Sequence, residues 1–290
     1  MKVLITGAAG QIGRALIRSA PQDANVVACG RAELDFTSEQ SIRSAVADIR
    51  PDVVINAAAY TAVDKAESDA AVARTVNADA VRWLAEAVVR TPASRLLHIS
   101  TDFVFDGTHS SPYATDAPVR PLGVYGETKL AGERAVAEIL GDRGLVLRTS
   151  WVYDATGRNF LNTMLRFMRE GKPLRVVVDQ VGTPTAADSI ATVLWRFAQR
   201  PELSGVWHWS DAGVASWYDF AVAIGEEATS LGLTRGEASV TPIATSEYPT
   251  PAKRPAFSAL DKRATVEVLK LAPVHWRQQL RRVMKEIPLA

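Results

Sequence analysis

The chain opens on a short aliphatic run at residues 2–6. It stops at Gly7, passes through Gly7-Ala8-Ala9-Gly10-Gln11-Ile12-Gly13 and continues as a helical pattern to about Ser19. Strand, glycine-rich turn and helix, in that order from the first residues, restrict the fold more than any other stretch. Gly7, Gly10 and Gly13 allow backbone N–H groups to approach a pyrophosphate, and the N-terminus of the following helix favours the anion. The spacing is GxxGxxG rather than GxGxxG, which a plain tight turn also satisfies; its position at the head of the chain favours a dinucleotide.

The alternation continues. Residues 25–29 read as a second strand, 38–50 as a helix opened by Thr37 or Ser38 and closed before Pro51, and 52–56 as a third strand running into Ala57-Ala58-Ala59-Tyr60-Thr61. Residues 68–90 have helical periodicity, with Asn77 inside as a polar residue that needs satisfying. A fourth strand at 95–100 delivers Ser100-Thr101-Asp102, and a loop with Pro112, Pro118 and Pro121 follows. A fifth strand at 144–149 releases Ser150-Trp151. Such regular alternation predicts a parallel sheet with helices on both faces, and the right-handed crossover puts every strand end along one rim.

Three groups of side chains on that rim carry chemistry. After strand two, Arg31 suits a 2′-phosphate and Asp35 a 2′-hydroxyl of an adenosine ribose, with Phe36 beside the adenine; both signs occur, so the choice between NADH and NADPH stays undecided. Small residues at 57–59 let a cofactor pack against the backbone. Tyr125 stands four residues before Lys129 in a helical stretch, so phenol and ammonium share a face. An ammonium beside a phenol favours the phenolate and is expected to lower its pKa. By spacing alone the pair also fits an ordinary helix surface.

Beyond Trp151 the texture changes. Helices fit 158–170, 186–199, 216–231, 261–270 and 275–286, and short strands fit 174–178, 206–209 and 241–243. This second part reads as a smaller cap, interleaved with the end of the sheet. Formal net charge is +1, which leaves no electrostatic footprint for nucleic acid. The single cysteine, Cys29, excludes an intrachain disulfide, and the four histidines show no metal-ligand spacing. No apolar run is long enough for a membrane span and the N-terminus does not read as a signal peptide, so the expected location is the cytosol.

Taken together, NAAAYTAVDKAES (56–68), HISTDFVFDGT (98–108), VYGETKLAGE (124–133), RTSWVY (148–153), DQVGTPT (179–185) and YPTPAKRP (248–255) resemble the dTDP-4-dehydrorhamnose reductase family of extended short-chain dehydrogenases/reductases. The stretches run in the family's order over nearly the whole chain. The resemblance implies a Rossmann-type doubly wound domain (1–150) with a smaller C-terminal α/β substrate domain (151–290). It implies reduction of the C4 ketone of dTDP-4-dehydro-L-rhamnose by NADPH or NADH. Tyr125 would be the proton donor, Lys129 its partner and Thr101 the third member of the triad. Thr101, Asp102 and Trp151 would touch the sugar. Gly10, Gln11, Ile12, Asp35, Phe36, Ala58, Ala59, Tyr60 and Thr61 would hold the cofactor. Tyr248 is a candidate to stack on the base, and Lys253 and Arg254 to pair with the diphosphate. The other tryptophans, Trp217 among them, read as packing.

The sequence departs from the family where histidine often stands at Tyr60. It also has Arg14-Ala15 after the glycine turn, where some members carry a magnesium-binding glutamate. No metal is expected and a homodimer stays open. Two rivals remain: a catalytically silent regulatory subunit, against which the intact Thr101, Tyr125 and Lys129 argue, and an epimerase or dehydratase, which would need a further acid where Phe103 follows Asp102.

Overall fold

The computed structural model describes all residues except 235, 237 and 290. Six parallel strands form the central sheet: β1 (Lys2–Thr6), β2 (Asn25–Cys29), β3 (Val53–Asn56), β4 (Arg95–Thr101), β5 (Gly144–Thr149) and β6 (Gly205–His208), in the spatial order β6-β5-β4-β3-β1-β2. Sequence order reverses between β1 and β3. That is the switch point at which open sheets of this kind leave a crevice at the carboxyl ends of the strands.

Both faces of the sheet are covered, as continuous apolar strands require. Val3, Ile5, Ile55, Leu97 and Leu147 pack on one side with helices Gln11–Arg18 and Ala187–Ala198. Leu4, Val54, Leu96 and Val146 pack on the other with helices Glu39–Ile49, Ala80–Arg90 and Val124–Leu140. Ser38 caps helix Glu39–Ile49 by accepting from the Ser41 N–H.

The region expected as one helix at 68–90 is divided. Short helices at Val63–Ala66 and Ala70–Arg74 lead through a π-helical turn, Thr75–Asp79, into Ala80–Arg90. The wider turn aims the fully buried Asn77 inward. Its Oδ1 accepts from Tyr60 N at 2.8 Å, and its Nδ2 donates to Tyr60 O at 3.0 Å and to Thr128 Oγ1 at 3.2 Å. Asn77 thus clamps the loop after β3 to helix Val124–Leu140.

The chain beyond 150 builds a second core and returns to the first. Tyr153, Leu161, Phe220, Ile224 and Leu280 belong to the second cluster, beside a strand pair at Leu174–Val177 and Val240–Ile243. Strand β6 and helix Ala187–Ala198 then complete the main sheet.

Candidate active site

The glycine turn is built for close approach. Gly7 has φ +68°, and a Cβ there would lie 2.6 Å from the Ala57 carbonyl carbon across the switch point; a Cβ on Gly13 would lie 2.3 Å from Gly7 O. Gly10 leads into helix Gln11–Arg18 with no side-chain cap, so no capping side chain occupies the first-turn N–H groups. Gln11 turns away: its Oε1 accepts from Asn159 Nδ2 at 2.8 Å. Ile12 packs on the core. This turn fits a dinucleotide pyrophosphate, held by backbone.

Beyond β2, Arg31 and Asp35 are exposed. Asp35 Oδ1 accepts from Thr37 N and Oγ1, and these bonds lower its pKa. Phe36, expected beside the adenine, is a core residue in one cluster with Leu34 and Ile42. Its ring is spent on holding the loop to the sheet. Ala58 N donates to Asn56 Oδ1 at 3.1 Å. Ala59 and Thr61 follow in the clamped loop, where the Tyr60 phenol reaches Asp69 at 3.1 Å.

Helix Val124–Leu140 lies close behind the end of β4. Gly126 permits this, since a Cβ there would come 2.3 Å from Phe103 O. Glu133 fixes the helix from below. It forms a buried ion pair with Arg148 of β5 at 2.7 Å and accepts from Ser100 Oγ. Tyr125 is half-buried and meets Phe103 edge-on at 5.5 Å. Burial pushes its phenol up to about 12; Thr101 pulls the other way and Asp102 adds to the rise.

The expected depression by Lys129 is therefore corrected. The lysine shares the helical face, but its Nζ donates to Ile99 O at 2.6 Å and lies 3.3 Å from His98 Nε2. Desolvation dominates the phenol, and the lysine itself is pushed down to about 8 by burial, with Glu133 opposing. Thr101 Oγ1 donates to Asp102 Oδ1 at 3.1 Å and accepts from Phe103 N at 3.2 Å. Asp102 is 2 % exposed, and burial raises it to about 6.

Trp151 leaves β5 with φ +46°, a left-handed conformation that a bulky residue adopts only under strain. The turn lays its ring on Trp217, centroids 3.5 Å apart and 3° from parallel. Trp217, expected as packing, packs on Trp151 and also faces a groove. The groove has a volume of about 570 Å³ and is lined as well by Phe160, Leu174, Gln180, Tyr248 and Arg254. Arg254 is anchored by Asp64 at 2.8 Å and Thr250 at 2.6 Å. Lys253 is exposed and does not line the groove, so of the two expected cations only Arg254 is built in.

The residues missed in the sequence are Trp217, Asp64, Asn56 and His98. His98 carried a signal: it is a polar side chain on the same strand face as Leu96. Among the described residues no cluster of metal-ligating side chains occurs.

The family model for the RmlD substrate binding domain matches residues 1–288. A dTDP-4-dehydrorhamnose reductase of Burkholderia thailandensis is 45% identical over 291 residues, covering 96% of each chain. A probable dTDP-4,6-dihydroxy-2-methyloxan-3-one 4-ketoreductase of Streptomyces antibioticus is 41% identical, covering 99% of this chain and 96% of that one. The crystal structure of dTDP-4-dehydrorhamnose reductase from Bacillus anthracis, in complex with NADP, superposes with a TM-score of 0.92 at 32% identity, covering 98% of this chain and 99% of its own.

Proposed function

The chain belongs to the dTDP-4-dehydrorhamnose reductase family, and from that premise we propose that it reduces the C4 ketone of dTDP-4-dehydro-L-rhamnose to dTDP-L-rhamnose with NADPH or NADH. The observation that carries the reading is the grouping at the end of β4. Tyr125 faces Thr101 and Asp102 there, on the rim that also holds the glycine turn.

Reduction of a ketone builds negative charge on oxygen. The nicotinamide, when bound, supplies the hydride. Tyr125 supplies the proton. A phenol pushed up to about 12 keeps its proton at neutral pH, which is the state an acid must hold at the start of a reduction. Thr101 donates to the same oxygen, and preorganised donors of this kind give the largest single contribution in many enzymes. Lys129 supports the phenolate left behind. Residues 1–150 hold the cofactor. Trp217, stacked on Trp151, presents an apolar face to the sugar, Arg254 pairs with the diphosphate and Tyr248 stacks on the base. A cytosolic location is part of the same proposal, tested by cell fractionation.

The 41% identity to a relative named as a 4-ketoreductase of a different dTDP sugar favours one second reading, the same chemistry on a neighbouring deoxysugar. The test is turnover of NADPH and NADH by the purified protein against a panel of nucleotide 4-keto-sugars. Tyr125→Phe is expected to keep cofactor binding and lose turnover by roughly 10²–10⁴. Near-normal turnover of that variant removes the acid assignment; no oxidation by the wild type at saturating substrate leaves a silent subunit.

A further inference from the structure

Thr6, Asn56 and His98 occupy one register row across β1, β3 and β4. Their side chains form a line of hydrogen bonds that ends on Lys129. Thr6 Oγ1 donates to Asn56 Oδ1 at 2.6 Å, and the Ala58 backbone N–H donates to the same oxygen at 3.1 Å. A backbone N–H cannot accept, so the amide can face it only with oxygen. The Asn56 Nδ2 therefore points at His98 Nδ1, 3.0 Å away, and donates to it. Nδ1 must then carry a lone pair. That excludes the imidazolium and the Nδ1–H tautomer, and the single ring proton sits on Nε2.

Nε2 lies 3.3 Å from Lys129 Nζ. A neutral amine has a lone pair for that proton; an ammonium presents only hydrogens to it. Asn56 and His98 are 0% exposed and Lys129 2%, so bulk water does not relieve the mismatch.

We infer that His98 is the positioning residue that sets the charge of Lys129: locked by Asn56 as the Nε2–H tautomer, it bonds the neutral amine and disfavours the ammonium. The inference rests on the reading of Lys129 as the partner of Tyr125. On protonation Nζ loses the bond to His98 and keeps Ile99 O. The ammonium then has protons free to turn towards Tyr125, on the same helical face. The charged and titratable groups around the pair are Tyr125 and Glu133 from the same helix, Glu67 at the helix start, Asp102 after β4 and Arg148 on β5. Glu133 favours the ammonium, but Arg148 shares that carboxylate. Burial outweighs it, in agreement with a lysine pushed down to about 8 and a His98 ring held well below its ordinary pKa.

The test is imidazole ¹⁵N NMR of the whole protein without cofactor. There are four histidines, and His98 is assigned by the signals lost in His98→Gln. The expected result across the neutral range is an unprotonated Nδ1 and a protonated Nε2; Nδ1–H or an imidazolium overturns the inference. In Asn56→Asp the new carboxylate accepts from Nδ1–H and forces the other tautomer, whose Nε2 lone pair bonds the ammonium. The proton affinity of Lys129, read from its side-chain ¹⁵N signal, should rise at least tenfold together with that tautomer change. An unmoved midpoint, or a rise while His98 keeps Nε2–H, overturns it. If Asn56→Asp does not fold, the wild-type tautomer decides alone. Neither readout uses turnover, so a fully active Lys129→Met would remove the role of Lys129 in the reaction and leave the tautomer result untouched.

Discussion

Asp102→Asn should make the protein more stable at neutral pH while damaging the site. Asp102 is 2 % exposed, its Oδ1 accepts from Thr101, and the Ser258 hydroxyl lies near enough to oppose part of the burial cost. Burial raises its pKa from 3.8 to about 6. A carboxyl whose pKa is raised on folding binds its proton more tightly in the folded state. It therefore costs nothing below the unfolded pKa, and stability is lost as pH rises through the folded value. The gap between 3.8 and about 6 corresponds to about 3 kcal/mol at 1.36 kcal/mol per pH unit. Asparagine keeps the shape, still accepts from Thr101, and has no charge to desolvate. Urea unfolding of both proteins should give matching stabilities below about pH 4 and a gap that widens to about 3 kcal/mol in favour of the variant by pH 7. Equal stability at pH 7, or a wild type more stable there, refutes the argument that this carboxylate is held at a cost. Reduced turnover in the same variant would place that cost at the site, as strain and desolvation at functional positions often are.

Two further perturbations follow from packing. Gly182→Ala puts a Cβ 2.6 Å from the Trp151 ring. It should push that ring off Trp217 and raise KM for the nucleotide sugar, with cofactor affinity measured by fluorescence titration unchanged. Glu133→Ala strands the guanidinium of Arg148, 5% exposed, beside β5. Removing one partner of a buried pair typically costs about 3–5 kcal/mol, so denaturant unfolding should show a loss of that order.

How much of this was legible in the sequence depends on range. The five strands and the glycine turn rest on local signals, short continuous apolar runs and backbone geometry, and they lie where the pattern puts them. The same holds for Tyr125 and Lys129 on one helical face. What spacing cannot supply is the competitor for a polar group. Lys129 is near Tyr125 along the helix, yet its nitrogen is held by Ile99 and His98 from β4, thirty positions back in the chain. The outcome depends on register across strands far apart in sequence. Phe36 went to the core for the same reason: the second strand end reads as a cofactor loop, but only the assembled sheet shows which of its side chains the core takes. Trp217 is the converse case. Its helix was legible, capped by Ser216 and Asp219, but its value comes from the left-handed turn at Trp151, which no periodicity encodes. At this site local pattern identifies which residues reach the rim, and the charge each one carries there is decided by partners from other strands. The phenol of Tyr125 is thus kept protonated by burial and by Asp102, and its fitness as the proton donor of the proposed chemistry follows from that environment more directly than from the spacing that first marks the residue.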